Sequence, residues 1–247
     1  MNSPFRPLAD EIRRIGAAGF DFVDLTLEPP GAWPAAPDEV RALLDETGLG
    51  VVGHTAWYLP IASPFPQLRA AARAVLVSAF DVFAAAGATH VNVHPDPVMR
   101  SYPRANAIAG NVDAVAELAP AAAARGLMLM VENMGRSFGT AAELAPLLAH
   151  PDVRFHLDVG HAHVAGETTN ELLAAFGDRL AHVHVSDNFG VDDLHLPLGA
   201  GSIAWREVVE ALRGIGYDGT VTLEVHSDEL RHLEISQQLW REWWRAA

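Results

Sequence analysis

The sequence contains no cysteine and no lysine, and these two absences exclude several kinds of chemistry. Without cysteine there is no disulfide, no thiolate metal ligand and no cysteine nucleophile. All 17 basic residues are arginine, so a mechanism that forms a Schiff base on lysine is excluded as well. The main candidates for catalytic groups and metal ligands are therefore histidine and carboxylate side chains.

Long apolar runs are also absent, and the charge is strongly acidic. No run approaches the roughly 18 apolar residues of a membrane-spanning helix. Residues 1–14 lack the basic region and apolar stretch of a secretory signal, so a cytoplasmic location is expected. The formal net charge of −14 argues against a nucleic-acid partner, because binding to a phosphate backbone depends on clustered Lys and Arg. A small-molecule substrate is expected instead, and the sequence leaves a homo-oligomer open.

Short β-rich runs alternate with longer amphipathic runs along nearly the whole chain of 247 residues. This alternation argues for a parallel sheet covered by helices. The run Leu-Met-Leu-Met-Val at 127–131 is apolar throughout, as expected of a strand buried on both faces. No repeat, low-complexity segment or linker marks a second domain. The sequence therefore predicts one α/β domain over residues 1–247.

Seven strands and seven helices can be placed from these patterns. The predicted strands are Phe20–Leu25, Leu49–His54, Thr89–His94, Leu127–Glu132, Val153–Asp158, Leu180–Ser186 and Thr220–Val225. The predicted helices are Asp38–Thr47, Gln67–Ala86, Arg104–Arg125, Thr140–Ala149, Thr169–Phe176, Ala204–Gly214 and Ser227–Trp244. A closed barrel of eight strands needs one more strand, which would lie within Met1–Arg6 or be absent.

Most of the predicted strands end in a residue that can bind a metal ion. The strand-end residues are His54, His94, Glu132, Asp158, His184 and Glu224, and His161, Asp193 and His195 follow closely in the loops. In a (β/α) barrel the carboxyl ends of the strands ring one mouth, so these side chains are expected to converge there. Imidazole and carboxylate together suit Zn²⁺ or Mn²⁺. A single histidine at a strand end is more often a rim residue, but the joint pattern favours a metal site.

Five segments carry a resemblance to a known group of proteins. They are Val-Glu-Asn-Met (131–134), His-Leu-Asp-Val-Gly-His (156–161), His-Val-His-Val-Ser-Asp-Asn (182–188), His-Leu-Pro-Leu-Gly-Ala-Gly (195–201) and Leu-Glu-Val-His (223–226). In this order they resemble the xylose-isomerase-like barrel superfamily. That superfamily contains sugar and sugar-phosphate isomerases and epimerases, together with the endonuclease IV type of AP endonuclease. The resemblance implies a TIM (β/α)8-type barrel with a short or missing first strand.

The two branches of this superfamily imply different ligand sets. Single-metal epimerases would use Glu132, Asp158, His184 and Glu224. The endonuclease IV branch implies nine ligands around three zinc ions. These nine positions are His54, His94, Glu132, Asp158, His161, His184, Asp193, His195 and Glu224, and each holds the ligand type that the pattern requires. Asp187 is an alternative to Asp193, which is preferred because it lies beside His195 in an Asp-x-His pair.

The first functional hypothesis is a metal-dependent isomerase or epimerase of a small sugar, sugar phosphate or polyol. Glu132 and Glu224 would take and return the proton, and His161 would orient a substrate oxygen. Arg136 is a candidate for binding a phosphate or carboxylate, or else a solvated loop residue. Trp57 and Tyr58 either cover a sugar face or pack the barrel rim.

Two other hypotheses are a multinuclear phosphoesterase and a binding protein with a structural metal. The nine positions support the phosphoesterase, in which clustered ions activate water. The acidic charge, the absence of lysine and the short loops argue against one that grips a DNA duplex, but not against a phosphatase of small molecules. Structural zinc sites are usually closed and often contain thiolates, which this chain lacks.

Overall fold

The computed structural model describes residues 1–99 and 101–247 and contains alternating strands and helices. The strands are β1 (Phe22–Thr26), β2 (Gly50–His54), β3 (His90–Val93), β4 (Met128–Glu132), β5 (Arg154–Asp158), β6 (Leu180–Val185) and β7 (Thr220–Leu223). The α-helices are α1 (Leu8–Ala17), α2 (Pro37–Thr47), α3 (Pro66–Ala86), α4 (Arg104–Ala123), α5 (Ala141–Leu148), α6 (Val159–Ala165), α7 (Thr169–Phe176), α8 (Trp205–Gly214) and α9 (Leu230–Ala246). The seven strands confirm the α/β class, and their bounds differ from the predicted ones by one or two residues.

The chain divides into two compact units. The first consists of residues 1–131 and 146–153, and the second of residues 132–145 and 154–247. The expectation of one domain over residues 1–247 stays a prediction. No helix among the described residues is long and apolar enough to cross a membrane.

In the first unit the strands β1, β2, β3 and β4 pair side by side in parallel. Helices α2 and α3 begin with a proline in the first turn, where its missing N–H costs no hydrogen bond. Both helices end at a glycine in the left-handed conformation that is typical of helix C-caps, Gly48 at φ +71° and Gly87 at φ +91°. Helix α3 contributes Phe80 and Phe83, which are completely buried, to the core.

The N-terminal residues form no strand, which answers the question left open by the sequence for residues 1–6. Instead, the side chain of Asn2 accepts a hydrogen bond from the Thr26 N–H at 2.7 Å and donates one to the Thr26 carbonyl at 3.1 Å. Helix α1 follows and was not predicted. Its signal was the spacing of Ile12 and Ile15, both of which are buried.

In the second unit β5, β6 and β7 pair in parallel. Alternate residues of β6 face opposite sides of the sheet, and both sides are buried: Val183 and Val185 on one, His182 and His184 on the other. Helix α6 was also missed by the sequence analysis because it is short and contains glycine and valine. It is started by Asp158, whose side chain accepts the N–H of His161.

The loop after β6 is organised around the carboxylate of Asp187, which is completely buried. Asp187 Oδ2 accepts hydrogen bonds from the Gly199 N–H at 2.9 Å and from Nε1 of Trp205 at 2.8 Å. Its Oδ1 accepts the N–H groups of Asn188 and Ile203, at 3.0 and 3.3 Å. Asp187 therefore fixes the ends of the segment that carries Asp193 and His195. Both of its carboxylate oxygens accept hydrogen bonds from protein groups.

Gly53 in β2 gives a first test of the core. A Cβ at this position would lie 2.7 Å from Cγ of Phe83, a ring that is completely buried. We expect Gly53→Ala to lower the free energy of unfolding by about 1–3 kcal/mol because the core cannot accept the extra atom. Gly214→Ala is the control, since a Cβ there meets nothing within 4 Å. Urea unfolding of both variants checks the prediction, and equal stabilities would contradict it.

Asp187 gives a second test, on the loop. Asp187→Asn keeps the shape but turns an amide NH₂ toward groups that donate, so we expect a loss of about 2–4 kcal/mol in unfolding free energy. Asp192→Asn is the matched control in the same loop, because the Asp192 side chain is 75% exposed. It should change stability by less than about 0.5 kcal/mol. A neutral Asp187→Asn in thermal unfolding would refute the role assigned to this carboxylate.

Candidate active site

Four ligand-capable side chains of the second unit meet at the carboxyl ends of its strands. Each of Glu132, Asp158, His184 and Glu224 places one oxygen or nitrogen within 4.8 Å of the others. Glu132 ends β4, Asp158 ends β5, His184 lies near the end of β6, and Glu224 directly follows β7. All four are buried. The sequence predicted this group, and the structure brings its four members together.

Strand register explains why these side chains converge. Asp158 lies opposite His184 in the pairing of β5 with β6, and His184 lies opposite Thr222 in the pairing of β6 with β7. Glu224 is two residues beyond Thr222, so its side chain points to the same face of the sheet. Parallel strands thus deliver one ligand-capable group each to the same edge.

The electrostatics of this group are unusual because three buried carboxylates lie within 4 Å of the same imidazole nitrogen. Nδ1 of His184 lies 2.7 Å from Oε2 of Glu224, 3.8 Å from Oε1 of Glu132 and 3.9 Å from Oδ2 of Asp158. The bond to His184 keeps the pKa of Glu224 well below its ordinary value despite burial. Burial raises the pKa of Asp158 to about 7, and the negative charges of the nearby Glu224 and Glu132 act in the same direction. The group therefore has an excess of negative charge in a buried place.

The donors present fit a divalent cation. Oδ1 of Asp158 accepts the N–H of His161 at 2.5 Å, whereas Oδ2 is buried and makes no hydrogen bond. A buried carboxylate oxygen without a partner carries a substantial desolvation cost. A cation among the four side chains would give this oxygen a partner and offset the repulsion between the carboxylates. Oxygen and imidazole donors together suit Zn²⁺ or Mn²⁺.

A second arrangement in the same unit joins His161, Asp193 and His195. Oδ2 of Asp193 lies 3.0 Å from Nε2 of His161 and 2.8 Å from Nε2 of His195. In both rings Nδ1 faces a backbone carbonyl, that of Asn133 at 2.8 Å and that of Glu224 at 3.0 Å. A carbonyl only accepts hydrogen bonds, so both Nδ1 atoms carry their proton. For a favourable contact with the Asp193 carboxylate, each Nε2 must therefore also carry a proton or bind a cation.

The pKa shifts of these groups agree with this geometry in the metal-free protein. Burial lowers the pKa of both histidines, but the surrounding carboxylates outweigh it. The hydrogen bond with Asp193 raises the pKa of His195 to about 9. The nearby Asp158 and Asp193 raise the pKa of His161. The two histidines in turn lower the pKa of Asp193 against the effect of burial. His195 also has φ +47°, a left-handed conformation that is uncommon outside glycine and is often found at functional sites.

His54 and His94 lie in the first unit, next to each other. Their ring centroids are 4.9 Å apart, and both side chains are buried. Nδ1 of His54 is 3.2 Å from Oγ1 of Thr26, and Nε2 of His94 is 3.3 Å from Nδ2 of Asn92. Their participation in a metal site stays a prediction.

The three proposed substrate contacts are all exposed to solvent to a large degree. Trp57 and Tyr58 in the first unit are 54% and 47% exposed, with their rings packed edge to face. Arg136 lines an open cavity of about 440 Å³ in the second unit. Its guanidinium donates to the Val191 carbonyl at 2.6 Å and is 3.8 Å from Asp192. Their roles toward a substrate stay predictions.

Two further buried residues lie beside the four-residue group; the sequence suggested that Asn133 could orient Glu132 by a hydrogen bond, whereas His156 was expected to be a supporting or core residue. Nδ1 of His156 lies 3.2 Å from Oε2 of Glu132. Asn133 forms hydrogen bonds with the backbone of Asp158 in both directions. The available signal was position, since Asn133 directly follows Glu132 and His156 is two residues before Asp158.

Known proteins share this fold and parts of this sequence. A 32% identical Methanocaldococcus jannaschii protein without an assigned function matches over 145 residues, 54% of this chain and 50% of that protein. An L-ribulose 3-epimerase from Methylomonas sp. is 28% identical over 92% of this chain and 82% of its own length. A probable endonuclease 4 from Mycobacterium ulcerans is 28% identical over 85% of this chain and 86% of its own.

A solved structure and a family model agree on the fold. The crystal structure of a D-tagatose 3-epimerase-like protein superposes with a TM-score of 0.88 and 24% identity, covering 97% of this chain and 94% of the other. The model of the xylose isomerase-like TIM barrel family matches residues 12–246. The resemblance noted in the sequence and the predicted barrel class are both confirmed. The chain belongs to the xylose isomerase-like TIM barrel family.

Proposed function

We propose that this protein is a metal-dependent isomerase or epimerase of a small sugar, sugar phosphate or polyol. The observation that carries the proposal is the buried group of Glu132, Asp158, His184 and Glu224. The epimerase names of several relatives support it, and they favour a ketose that is inverted next to its carbonyl. Small sugars also agree with the strongly acidic charge of the chain, which disfavours polyanions.

The four side chains would hold one Zn²⁺ or Mn²⁺ ion. When bound, such an ion supplies Lewis-acid polarisation of a carbonyl and an adjacent hydroxyl group, which acidifies the hydrogen on the carbon between them. The protein contributes the charge balance, because three carboxylates and one imidazole leave a net negative site for a divalent cation.

Glu132 and Glu224 are the proposed acid–base pair. One carboxylate takes the proton from the carbon next to the carbonyl, and the other, as the carboxylic acid, returns a proton to the opposite face. The configuration of that carbon is inverted, and the roles exchange in the reverse reaction. The contact of His156 with Glu132 and of His184 with Glu224 keeps both carboxylates oriented.

His161 is proposed to orient a substrate oxygen. Its Nδ1–H donates to the Asn133 carbonyl at 2.8 Å, which fixes the ring and leaves the Nε2 side for Asp193 and the substrate. Trp57, Tyr58 and Arg136 are proposed further substrate contacts. Their exposure leaves these side chains accessible to a ligand.

A second candidate function is a multinuclear phosphoesterase, and one observation favours it. Both Nε2 atoms that face Asp193 belong to rings whose Nδ1 donates to a carbonyl, so the site is equally suited to a second cation. With His54 and His94 the full set of nine positions would be in use. The similarity to a probable endonuclease 4 points the same way. The acidic charge would restrict the substrate to a small phosphoester.

Metal content distinguishes the two functions. Protein purified without chelators or added metal is expected to carry about one ion per chain, measured by elemental analysis. Removing it with EDTA should lower the thermal midpoint, because an ion that binds only the folded state at 100 times its Kd adds about 2.7 kcal/mol. Two or three ions would favour the phosphoesterase. Both proposed functions would be contradicted if the purified protein contained no metal and its thermal midpoint did not change when Zn²⁺ or Mn²⁺ was added.

The acid–base pair can be tested by substitution. Glu132→Gln and Glu224→Gln should each reduce turnover at least about 100-fold, because neither amide exchanges the proton. The measurement is the rate at which ribulose or psicose is converted into its epimer at the carbon next to the carbonyl, followed by NMR. Glu207→Gln, an exposed residue of α8 in the same unit, is the control for charge. Near-normal epimerisation by either active-site variant would remove the proposed roles.

A further inference from the structure

Asn133 is completely buried and directly follows Glu132 at the end of β4. Its side-chain amide is joined to the main chain of Asp158 by two hydrogen bonds. Nδ2 donates to the Asp158 carbonyl at 2.8 Å, and Oδ1 accepts the Asp158 N–H at 2.7 Å. The Asn133 side chain therefore forms hydrogen bonds with both the N–H and the C=O group of a residue 25 positions away in the sequence.

The chain path explains why a side chain is needed at this position. After β4 the backbone turns, and Met134 pairs with Phe138 in an isolated bridge. The main chain beyond Asn133 is therefore engaged locally and does not continue the ladder alongside Asp158. Buried N–H and C=O groups require partners. The amide of asparagine carries the same donor and acceptor as a peptide group, so it replaces the next residue of a strand.

Asn133 also connects Asp158 with His161. Its own carbonyl accepts the Nδ1–H of His161 at 2.8 Å, and Oδ1 of Asp158 accepts the His161 N–H at 2.5 Å. With Glu132 as its neighbour in the chain, Asn133 touches the backbone or side chain of three members of the active site. Oδ2 of Asp158 is left pointing into the group of four without a hydrogen bond.

We propose that Asn133 is a positioning residue that holds the Asp158 carboxylate where it binds a divalent cation. The inference rests on the proposed metal site. In this role Asn133 does not contact the reacting atoms. Its effect passes through the main chain of Asp158, which sets the direction of the carboxylate, and through His161. Residues that orient metal ligands in this way typically change metal affinity by about 10- to 100-fold when they are replaced.

The experiment measures Co²⁺ binding, with the metal alone as the probe, in the wild type and two variants. Asn133→Ala removes both hydrogen bonds. Asn133→Asp keeps the shape and the acceptor but places a carboxylate oxygen against the Asp158 carbonyl. Both are expected to weaken the Co²⁺ affinity about 10- to 100-fold in competition with a chelator. Both should also alter the visible absorption of bound Co²⁺, which reports ligand geometry and does not depend on catalysis.

Asn111 offers a matched control in the first unit. It is also completely buried, and its amide accepts the Asp96 N–H at 2.7 Å and donates to the Asp96 carbonyl at 3.1 Å. Asn111→Ala thus removes the same kind of pairing from a loop that carries none of the four proposed ligands. Its thermal stability should fall like that of Asn133→Ala, while its Co²⁺ affinity and spectrum stay those of the wild type.

The outcomes separate this inference from the proposed function. If the wild type binds Co²⁺ and either Asn133 variant binds it with the same affinity and spectrum, the positioning role is overturned and the metal site stands. An equal loss of affinity in Asn111→Ala would show a general loss of stability and would also overturn it. If the wild type does not bind Co²⁺, the proposed metal site fails, and this inference fails with it. Circular dichroism verifies that each variant is folded.

Discussion

The constraint on which the active site depends is the burial of three carboxylates around one imidazole. Glu132, Asp158 and Glu224 are each shielded from water, and Nδ1 of His184 lies within 4 Å of an oxygen of each. Such an arrangement is unfavourable by itself, because like charges repel and each loses its hydration. Replacing buried charged groups by apolar residues of similar size is often neutral or stabilising, so a buried cluster of this kind is typical of a functional site and could hold a cation. The orphan oxygen of Asp158 agrees with this view.

The surrounding structure is largely devoted to holding these groups in place. Carbonyls lock the rings of His161 and His195, and the amide of Asn133 replaces a missing strand residue beside Asp158. Asp187 uses its two oxygens to fasten the loop that carries Asp193 and His195. Each of these supports includes hydrogen bonds to backbone groups, which hold the supporting side chains in one orientation.

The choice between an epimerase and a phosphoesterase comes down to the group of His161, Asp193 and His195. The four-residue site serves either chemistry, since a single ion can polarise a carbonyl or a phosphoryl oxygen. If Asp193 binds two protonated rings, this group presents positive charge and hydrogen-bond donors to a sugar. If a cation replaces these protons, the same atoms become ligands. Protonation and metal binding compete for the same nitrogen atoms, so the two proposed functions differ in which of them occupies this group.

The sequence by itself determined the alternation of strands and helices, and it placed Glu132, Asp158, His184 and Glu224 at the ends of strands. These features are local: strand and helix periods, backbone preferences, and the rule that parallel strands end at one edge. Only the tertiary structure revealed the pairing of Asn133 with Asp158, the network of Asp187 and the orientation of the His161 and His195 rings. The partners in these interactions lie up to 29 residues apart, as with His195 and Glu224, and the interactions depend on side-chain direction. Sequence patterns report which residues share a face, whereas the hydrogen bonds between them exist only once the chain has folded.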